Sequence, residues 1–293
     1  MNIRTLLKSG RETLQDRGLI HPQADAEMIL AAILNCDRNH LIAHDDEVIG
    51  RQQEESFWEN VANRCSGMPI QYIRGRQEFW GRDFIVGPEV LIPRPESELL
   101  VEHGIRIARG NRKSDEAERL MIADIGTGSG CLGISMAIEL PRARVVATDI
   151  SGGAIAIARE NAARHQVLDR MMFLVGELGQ PLSARHAQGF FDMIVCNPPY
   201  GSLDNRELFE REVIEYEPHQ ALFGGKEGTE IMARLIPEAR ELLKPRGYLL
   251  MEIGIGQSEA VAAMLQEGWE AMECYADLQG IPRCFIARSC RYL

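Results

Sequence analysis

Leu120-Met121-Ile122-Ala123-Asp124-Ile125-Gly126-Thr127-Gly128-Ser129-Gly130 decides the fold of this chain. A mostly apolar run ends in alternate glycines, and residues 131–140 continue with helical spacing, so the stretch reads as a buried strand, a tight turn and a helix. The same texture repeats downstream. Strand-like ARVVATDI (143–150), MMFLVGE (171–177), DMIVCNPP (192–199), GYLLMEIG (247–254) and CFIAR (284–288) alternate with helical stretches at 153–165, 231–243 and 259–266. Such alternation predicts an α/β, doubly wound fold, a parallel sheet covered on both faces that binds ligands at the carboxyl ends of its strands.

Upstream the period is helical. Ile3, Leu6 and Leu7, then Ala26, Ile29, Leu30, Ile33 and Leu34, then Phe57, Trp58 and Val61 recur at three-to-four spacing, which predicts a small bundle with Gly18, Pro22 and residues 40–46 as connections. Residues 77–86 are aromatic and β-branched around Gly81, as in a hairpin. Pro95 can open a linker helix at Glu96 that runs to about Ala108, and a polar stretch, 109–118, follows. The expected organisation is an N-terminal helical substrate-recognition domain (1–72), a hairpin and linker helix (73–115) and a cofactor-binding catalytic domain (116–293) able to fold from near Glu116.

Composition narrows the function. The 293 residues are 45% apolar and 26% charged, which is globular material. Seven scattered cysteines without a Cys-x-x-Cys pair suggest neither a disulfide framework nor zinc, and fit a cytoplasmic setting. No signal-like apolar segment or run of about 18 apolar residues occurs, so neither export nor a membrane span is expected. The 32 basic and 43 acidic residues give a net charge of −11, which opposes sequence-independent binding to nucleic acid, and residues 1–75 carry eight basic against eleven acidic side chains. The histidines show no metal-ligand spacing; His40 and His44 fall in an expected connection, and no metal is expected.

Gly126, Gly128 and Gly130 permit a tight turn and close approach of a ligand, while the helix behind them offers N–H groups to an anion. Asp149, at the end of the next strand, can accept both hydroxyl hydrogens of a ribose. Two cofactors fit, because Gly128-Ser129-Gly130-Cys131-Leu132-Gly133 also matches the dinucleotide pattern of an oxidoreductase.

Asn197-Pro198-Pro199-Tyr200 follows the apolar run 193–196. Consecutive prolines end the strand, remove two donors and leave carbonyls without a ladder partner. The Asn197 side-chain oxygen and the Pro198 carbonyl can accept both hydrogens of an NH₂ group, orient its nitrogen and stabilise the positive charge that grows on it, without a strong base. Tyr200 is expected to pack against the planar group being modified. A nicotinamide enzyme would leave this tetrapeptide without a purpose, and an inactive scaffold would leave both motifs without one.

With Asp124 before the turn, the glycine motif resembles motif I of the class I S-adenosylmethionine methyltransferases. The tetrapeptide resembles the motif shared by enzymes that methylate adenine N6, guanine N2 or glutamine N5. Gln71-Tyr72-Ile73-Arg74-Gly75, Glu78-Phe79-Trp80-Gly81, Leu91-Ile92-Pro93-Arg94-Pro95-Glu96-Ser97-Glu98, Tyr216-Glu217-Pro218, Ala221-Leu222 and Gly224-Gly225 resemble the release-factor glutamine methyltransferase family (the HemK/PrmC group). The resemblance implies a seven-stranded, mostly parallel Rossmann-like sheet, S-adenosyl-L-methionine as cofactor, class 1 peptide chain release factors as partners, and N5-methylation of the glutamine in their Gly-Gly-Gln motif. It implies cofactor contacts at Gly126, Thr127, Gly128, Ser129, Gly130, Asp149, Glu177, Leu178 and Asn197. Asn197, Pro198, Pro199 and Tyr200 are implied as substrate contacts, with Asn197, Pro198 and Tyr200 catalytic. The ribosomal-protein L3 branch usually has serine at the position of Pro95, and the nucleic-acid enzymes are opposed by the acidic charge. Gly201 stands where the family commonly has a bulkier aliphatic residue. Arg94, Glu96 and Glu98 read as local ion pairs at the start of the linker helix.

Overall fold

Helices in the first part of the chain begin where side chains satisfy free backbone donors. Asn2 accepts from Thr5 N at the start of α1 (Ile3–Asp16), and Pro22 occupies the first position of α2 (Pro22–Leu34), where its missing N–H costs nothing. Asp37 accepts from His40 N and opens α3 (Arg38–Ala43). This cap makes a helix of part of the 40–46 stretch expected as a connection, with His40 inside the helix and His44 ending it. Gln53 returns to the Gly50 N–H ahead of α4 (Arg51–Cys65), and α5 (Ile70–Arg74) ends on left-handed Gly75. Ile3, Leu6, Leu14, Ala26, Ile29, Leu30, Phe57 and Val61 meet in one core.

The computed structural model describes residues 1–110, 120–183 and 187–290, so the expected boundary at 115/116 and the polar stretch from residue 111 onward lie outside the described residues. Two compact units result: Met1–Arg76 with Glu210–Tyr216, and Gln77–Phe209 with Glu217–Leu293.

The larger unit starts with the hairpin β1 (Arg76–Phe79) and β2 (Arg82–Ile85). Trp80 and Gly81 both have left-handed φ angles, 53° and 67°, the requirement of a tight two-residue hairpin turn. Glu98 holds that turn by accepting from Trp80 N at 2.7 Å. A single 3₁₀ turn, Pro95–Ser97, leads into α6 (Glu98–Gly110). Then follow β3 (Met121–Ile125), α7 (Cys131–Glu139), β4 (Arg144–Asp149), α8 (Gly152–Arg164), β5 (Met171–Val175), α9 (Gln180–Ser183), β6 (Phe191–Cys196) and β7 (Gly201–Ser202). The chain closes with α10 (Arg211–Tyr216), α11 (His219–Leu222), β8 (Phe223–Gly225), α12 (Glu230–Leu242), β9 (Leu243–Glu252), α13 (Ser258–Met264), β10 (Trp269–Ala276) and β11 (Pro282–Ser289).

Seven strands pair in the order β10-β11-β9-β6-β3-β4-β5. The β9-β6-β3-β4-β5 pairings are parallel, and β11 runs antiparallel to both neighbours. Alternate residues serve opposite faces. Ile122, Val145, Met193, Val195 and Leu250 pack with Leu100, Val101, Leu132 and Met136 from α6 and α7, whereas Ala123, Ile125, Ile194 and Met251 pack with Met232, Leu235 and Ile236 of α12. Phe79 and Phe84 of the hairpin are buried in the first of these layers, so hairpin and linker helix belong to the core of the larger unit.

The sequence reading omits β10, because Trp-Glu-Ala-Met-Glu-Cys-Tyr-Ala is polar and only Trp269 is buried there, as suits an edge strand. After β5 the chain returns past β3 to β6, and the loops leaving β3 and β6 diverge. That reversal opens a crevice at the carboxyl ends of the two strands.

Candidate active site

The β3–α7 turn is anchored to the neighbouring strand, since Gly126 N and Thr127 N both donate to the Thr148 carbonyl, at 2.8 and 2.9 Å. Gly126, Gly128 and Gly130 have φ angles of 71°, 54° and 84°. A Cβ on Gly126 or Gly128 would meet nothing within 4 Å, so these glycines leave open space above the turn. Gly130 differs: its Cβ would lie 2.7 Å from the Ile134 side chain and 3.3 Å from Ala158, so it lets α7 and α8 approach.

Further donors of the turn and of the start of α7 are committed within the protein. Asp124 Oδ2, wholly buried, accepts from Thr127 Oγ1 at 2.6 Å and Gly133 N at 3.0 Å, and burial pushes its carboxyl up to about 6. Part of the anion site expected at the α7 N-terminus is therefore filled by the chain's own carboxyl group. Asp149 accepts from Gly128 N and Ser151 N, each at 2.9 Å, which fixes its carboxylate at the cavity wall; burial raises its pKa, opposed by these N–H groups. Leu178 sits beside it with a left-handed φ of 47°, held by Thr148 Oγ1 donating to its carbonyl at 3.0 Å. Glu177 also lines the cavity and pairs with Arg234 at 2.7 Å.

All nine residues expected at the cofactor except Gly130 line one cavity of about 320 Å³, and Pro198 and Pro199 line it with Asn197. Asn197 Nδ2 donates to Ser97 Oγ at 3.0 Å, Ser97 donates to Glu252 Oε2 at 2.5 Å, and Tyr200 donates to Glu252 Oε1 at 3.0 Å. Burial pushes the Glu252 carboxyl up to about 7, against the pull of these two hydroxyls. Asn197 Oδ1 is left as an acceptor, and no hydrogen-bond donor among the described residues reaches the Pro198 carbonyl.

Tyr200 is not in the cavity wall. Its phenol is drawn to Glu252 and its carbonyl accepts from Gln257 Nε2 at 3.0 Å, while Phe223 of β8 supplies the aromatic surface of the cavity. Gly224 allows β8 to come this close, since a Cβ there would collide with the Pro199 carbonyl. Gly201 is equally constrained: its Cβ would lie 2.6 Å from the Leu222 carbonyl oxygen and 2.7 Å from Phe209, so those residues fill the space of the family's bulkier side chain.

Arg94 does not pair locally. It binds the buried carboxylate of Glu217, which also accepts from Ile92 N at 3.0 Å and so ties the Leu91-to-Pro95 segment to the cavity rim. Glu217, Ser97 and Glu252 were not singled out from sequence as site groups. Glu252 had a signal, a lone carboxylate inside the apolar run GYLLMEIG; Ser97 had none. Among the described residues, no group of three or more His, Cys, Asp or Glu side chains is arranged to hold a metal ion.

Known proteins resemble this chain in sequence and in fold. A family profile described as the PrmC N-terminal domain matches residues 5–75, and one described as the methyltransferase small domain matches residues 111–216. A release factor glutamine methyltransferase of Koribacter versatilis is 40% identical over 98% of this chain and 99% of its own length. The chain belongs to the release factor glutamine methyltransferase family. A second relative of that name, from Geobacter sulfurreducens, is 39% identical over 89% of this chain and 87% of its own. In fold alone, the catalytic domain of human METTL16, solved with a MAT2A 3′UTR hairpin, superposes with a TM-score of 0.56 at 16% identity, over 80% of this chain and 83% of that one. The family's motifs thus have structural reasons here: Glu78-Phe79-Trp80-Gly81 builds the hairpin, Leu91 to Glu98 carries Arg94 and Ser97, and Tyr216-Glu217-Pro218 supplies the carboxylate that receives Arg94.

Proposed function

We propose that this protein methylates N5 of the glutamine side chain in the Gly-Gly-Gln motif of class 1 peptide chain release factors, with S-adenosylmethionine as methyl donor. The observation that carries the reading is Asn197. With Nδ2 committed to Ser97, its Oδ1 and the Pro198 carbonyl offer two acceptors at the cavity wall, matched to the two hydrogens of a primary amide. The donor's fit is supported by the open space above Gly126 and Gly128, by the Asp149 carboxylate that accepts from Gly128 N at the cavity wall, and by Ile150 and Leu178 lining the same cavity.

S-adenosylmethionine supplies a sulfonium methyl: the amide nitrogen forms the new C–N bond, the C–S bond breaks to leave a thioether, and the nitrogen loses one proton to solvent. An amide nitrogen is a poor nucleophile, so the chain's contribution is orientation and charge. Asn197 and Pro198 hold the NH₂ group with its nitrogen toward the donor and stabilise the positive charge that develops on it. Pro198, Pro199, Ala221 and Phe223 line the cavity with apolar surface. The helical unit, acidic in balance, recognises the protein substrate, and the reaction belongs to the cytoplasm, where translation terminates. Among the described residues no helix is long and apolar enough to cross a membrane.

The test is transfer of labelled methyl from S-adenosylmethionine to a purified release factor. Label is expected in the intact factor and absent when the motif glutamine is alanine. Label retained in that control, or found in RNA or DNA instead, overturns the reading.

A further inference from the structure

We propose that Glu252, acting through the Ser97 hydroxyl, is the positioning residue that fixes which end of the Asn197 carboxamide faces the acceptor site. The inference rests on the role given to Asn197 above. It joins three elements that the sequence keeps far apart: the end of β9, the 3₁₀ turn before α6, and the exit of β6.

The argument is one of donor and acceptor counting. An ionised carboxylate only accepts, so the hydrogens of Ser97 and Tyr200 both point at Glu252, at 2.5 and 3.0 Å. A serine hydroxyl has one hydrogen. With it committed, Ser97 Oγ can only accept from Asn197, and Nδ2 turns toward it at 3.0 Å. Oδ1 must then face the cavity. The carboxamide has one competing orientation, a half-turn away, in which its NH₂ would meet the NH₂ of the substrate, donor against donor.

Protonation of Glu252 removes the constraint. Its carboxyl O–H can donate to Ser97, the serine hydrogen becomes free to donate to Asn197 Oδ1, and the reversed carboxamide is no longer disfavoured. The groups facing Glu252 set where this occurs. Burial raises its pKa most and Glu96 adds to this, against the lowering by the Ser97 and Tyr200 hydroxyls and by Arg283, giving about 7. Tyr200 and the thiols of Cys131, Cys196 and Cys284 are all pushed up by burial and stay neutral; the other buried carboxyl near this cluster, Asp124, is raised to about 6, and the Glu252→Gln comparison separates its titration from that of Glu252.

Two measurements on the full-length protein test the proposal. In protein labelled with ¹⁵N-asparagine, the Asn197 side-chain NH₂ signals, assigned by Asn197→Asp, are expected to shift with pH around a midpoint near 7. They should not titrate in Glu252→Gln or Ser97→Ala. In parallel, kcat toward release factor is expected to rise through the same midpoint in the parent. In Ser97→Ala it should fall about 10-fold or more and become flat with pH, with the cofactor KM unchanged. Binding of S-adenosylhomocysteine certifies that each variant is folded. A serine that merely packs would lower the melting temperature and leave the pH step in place; a step or an Asn197 titration that survives in Ser97→Ala overturns the relay. A parent whose Asn197 signals titrate as expected but which transfers no methyl to release factor refutes the substrate reading and leaves the relay standing.

Discussion

Replacing Asp149 by alanine isolates the cofactor half of the site. The carboxylate accepts from Gly128 N and Ser151 N, each at 2.9 Å, and faces the cavity with its remaining lone pairs. Alanine removes the proposed acceptor for the ribose hydroxyls and frees two backbone donors, one of them within the glycine turn. The freed N–H groups can hydrate in the free protein, so the binding loss is close to that of one charge-assisted hydrogen bond, about 1.5–3 kcal/mol. That corresponds to roughly 10- to 150-fold in Kd. Calorimetric titration with S-adenosylhomocysteine measures it directly, with a thermal melt to show that the variant is folded. Asp149→Asn, which keeps one oxygen, is expected to fall between alanine and the parent. If the alanine variant binds within about twofold of the parent, the ribose is not at Asp149 and the placement of the donor is wrong.

Asn197→Ala should lower kcat by about 10²–10³ with little change in S-adenosylhomocysteine affinity, and near-parental turnover would eliminate the proposed acceptor site. A fragment beginning near Glu116 loses Phe79, Phe84, Leu100 and Val101 from the sheet's core and should not fold; one beginning at Gln77 retains them and should bind cofactor while methylating intact release factor much more slowly than the full chain. Cofactor binding by the shorter fragment, or full-rate methylation by the longer one, would contradict these expectations. Asp124 and Glu252, raised by burial to about 6 and 7 from ordinary values of 3.8 and 4.5, hold protons in the folded state that the unfolded chain has released. Their contribution to stability therefore falls as pH rises through about pH 4–7. Thermal midpoints at pH 5.5 and 8 should differ in that direction, and less so in Glu252→Gln; a variant with the parent's full dependence would exclude Glu252 as a source.

The parts of this molecule legible in its sequence are those set by local pattern. Short, mostly apolar runs spanning residues 121–125 and 144–149 gave strands, the glycines after Ile125 gave the turn, and the two prolines after Asn197 ended β6 where expected. β10 escaped because an edge strand need not be apolar, and α3 because a six-residue helix opened by an Asp37 cap has too little period to notice. In the site, Asp149 and Asn197 were legible as polar residues at strand ends. Ser97 and Glu217 were not, since their importance lies in partners 155 and 123 residues away along the chain. Tyr200 was expected against the planar group and lies outside the cavity wall, its hydroxyl donating to Glu252, a carboxylate that the apolar run GYLLMEIG signals without showing which residue it draws in.

Residues Glu210–Tyr216 group with the N-terminal helices although they are encoded far downstream of them. Arg64 donates to Asp25 at 2.8 Å and to Glu212 at 2.7 Å, and Tyr216 meets Ser66 at 2.9 Å. During synthesis the five helices leave the ribosome long before this strap exists, and Arg64 must wait with only Asp25 for a counterion. The first unit to emerge is thus completed only after β3 to β6 have been made, so the order of synthesis and the order of completion differ. A nascent chain that ends before residue 212 carries the helical unit without Glu212 and Tyr216. The strap therefore defers completion of that unit until most of the donor-binding sheet has been translated.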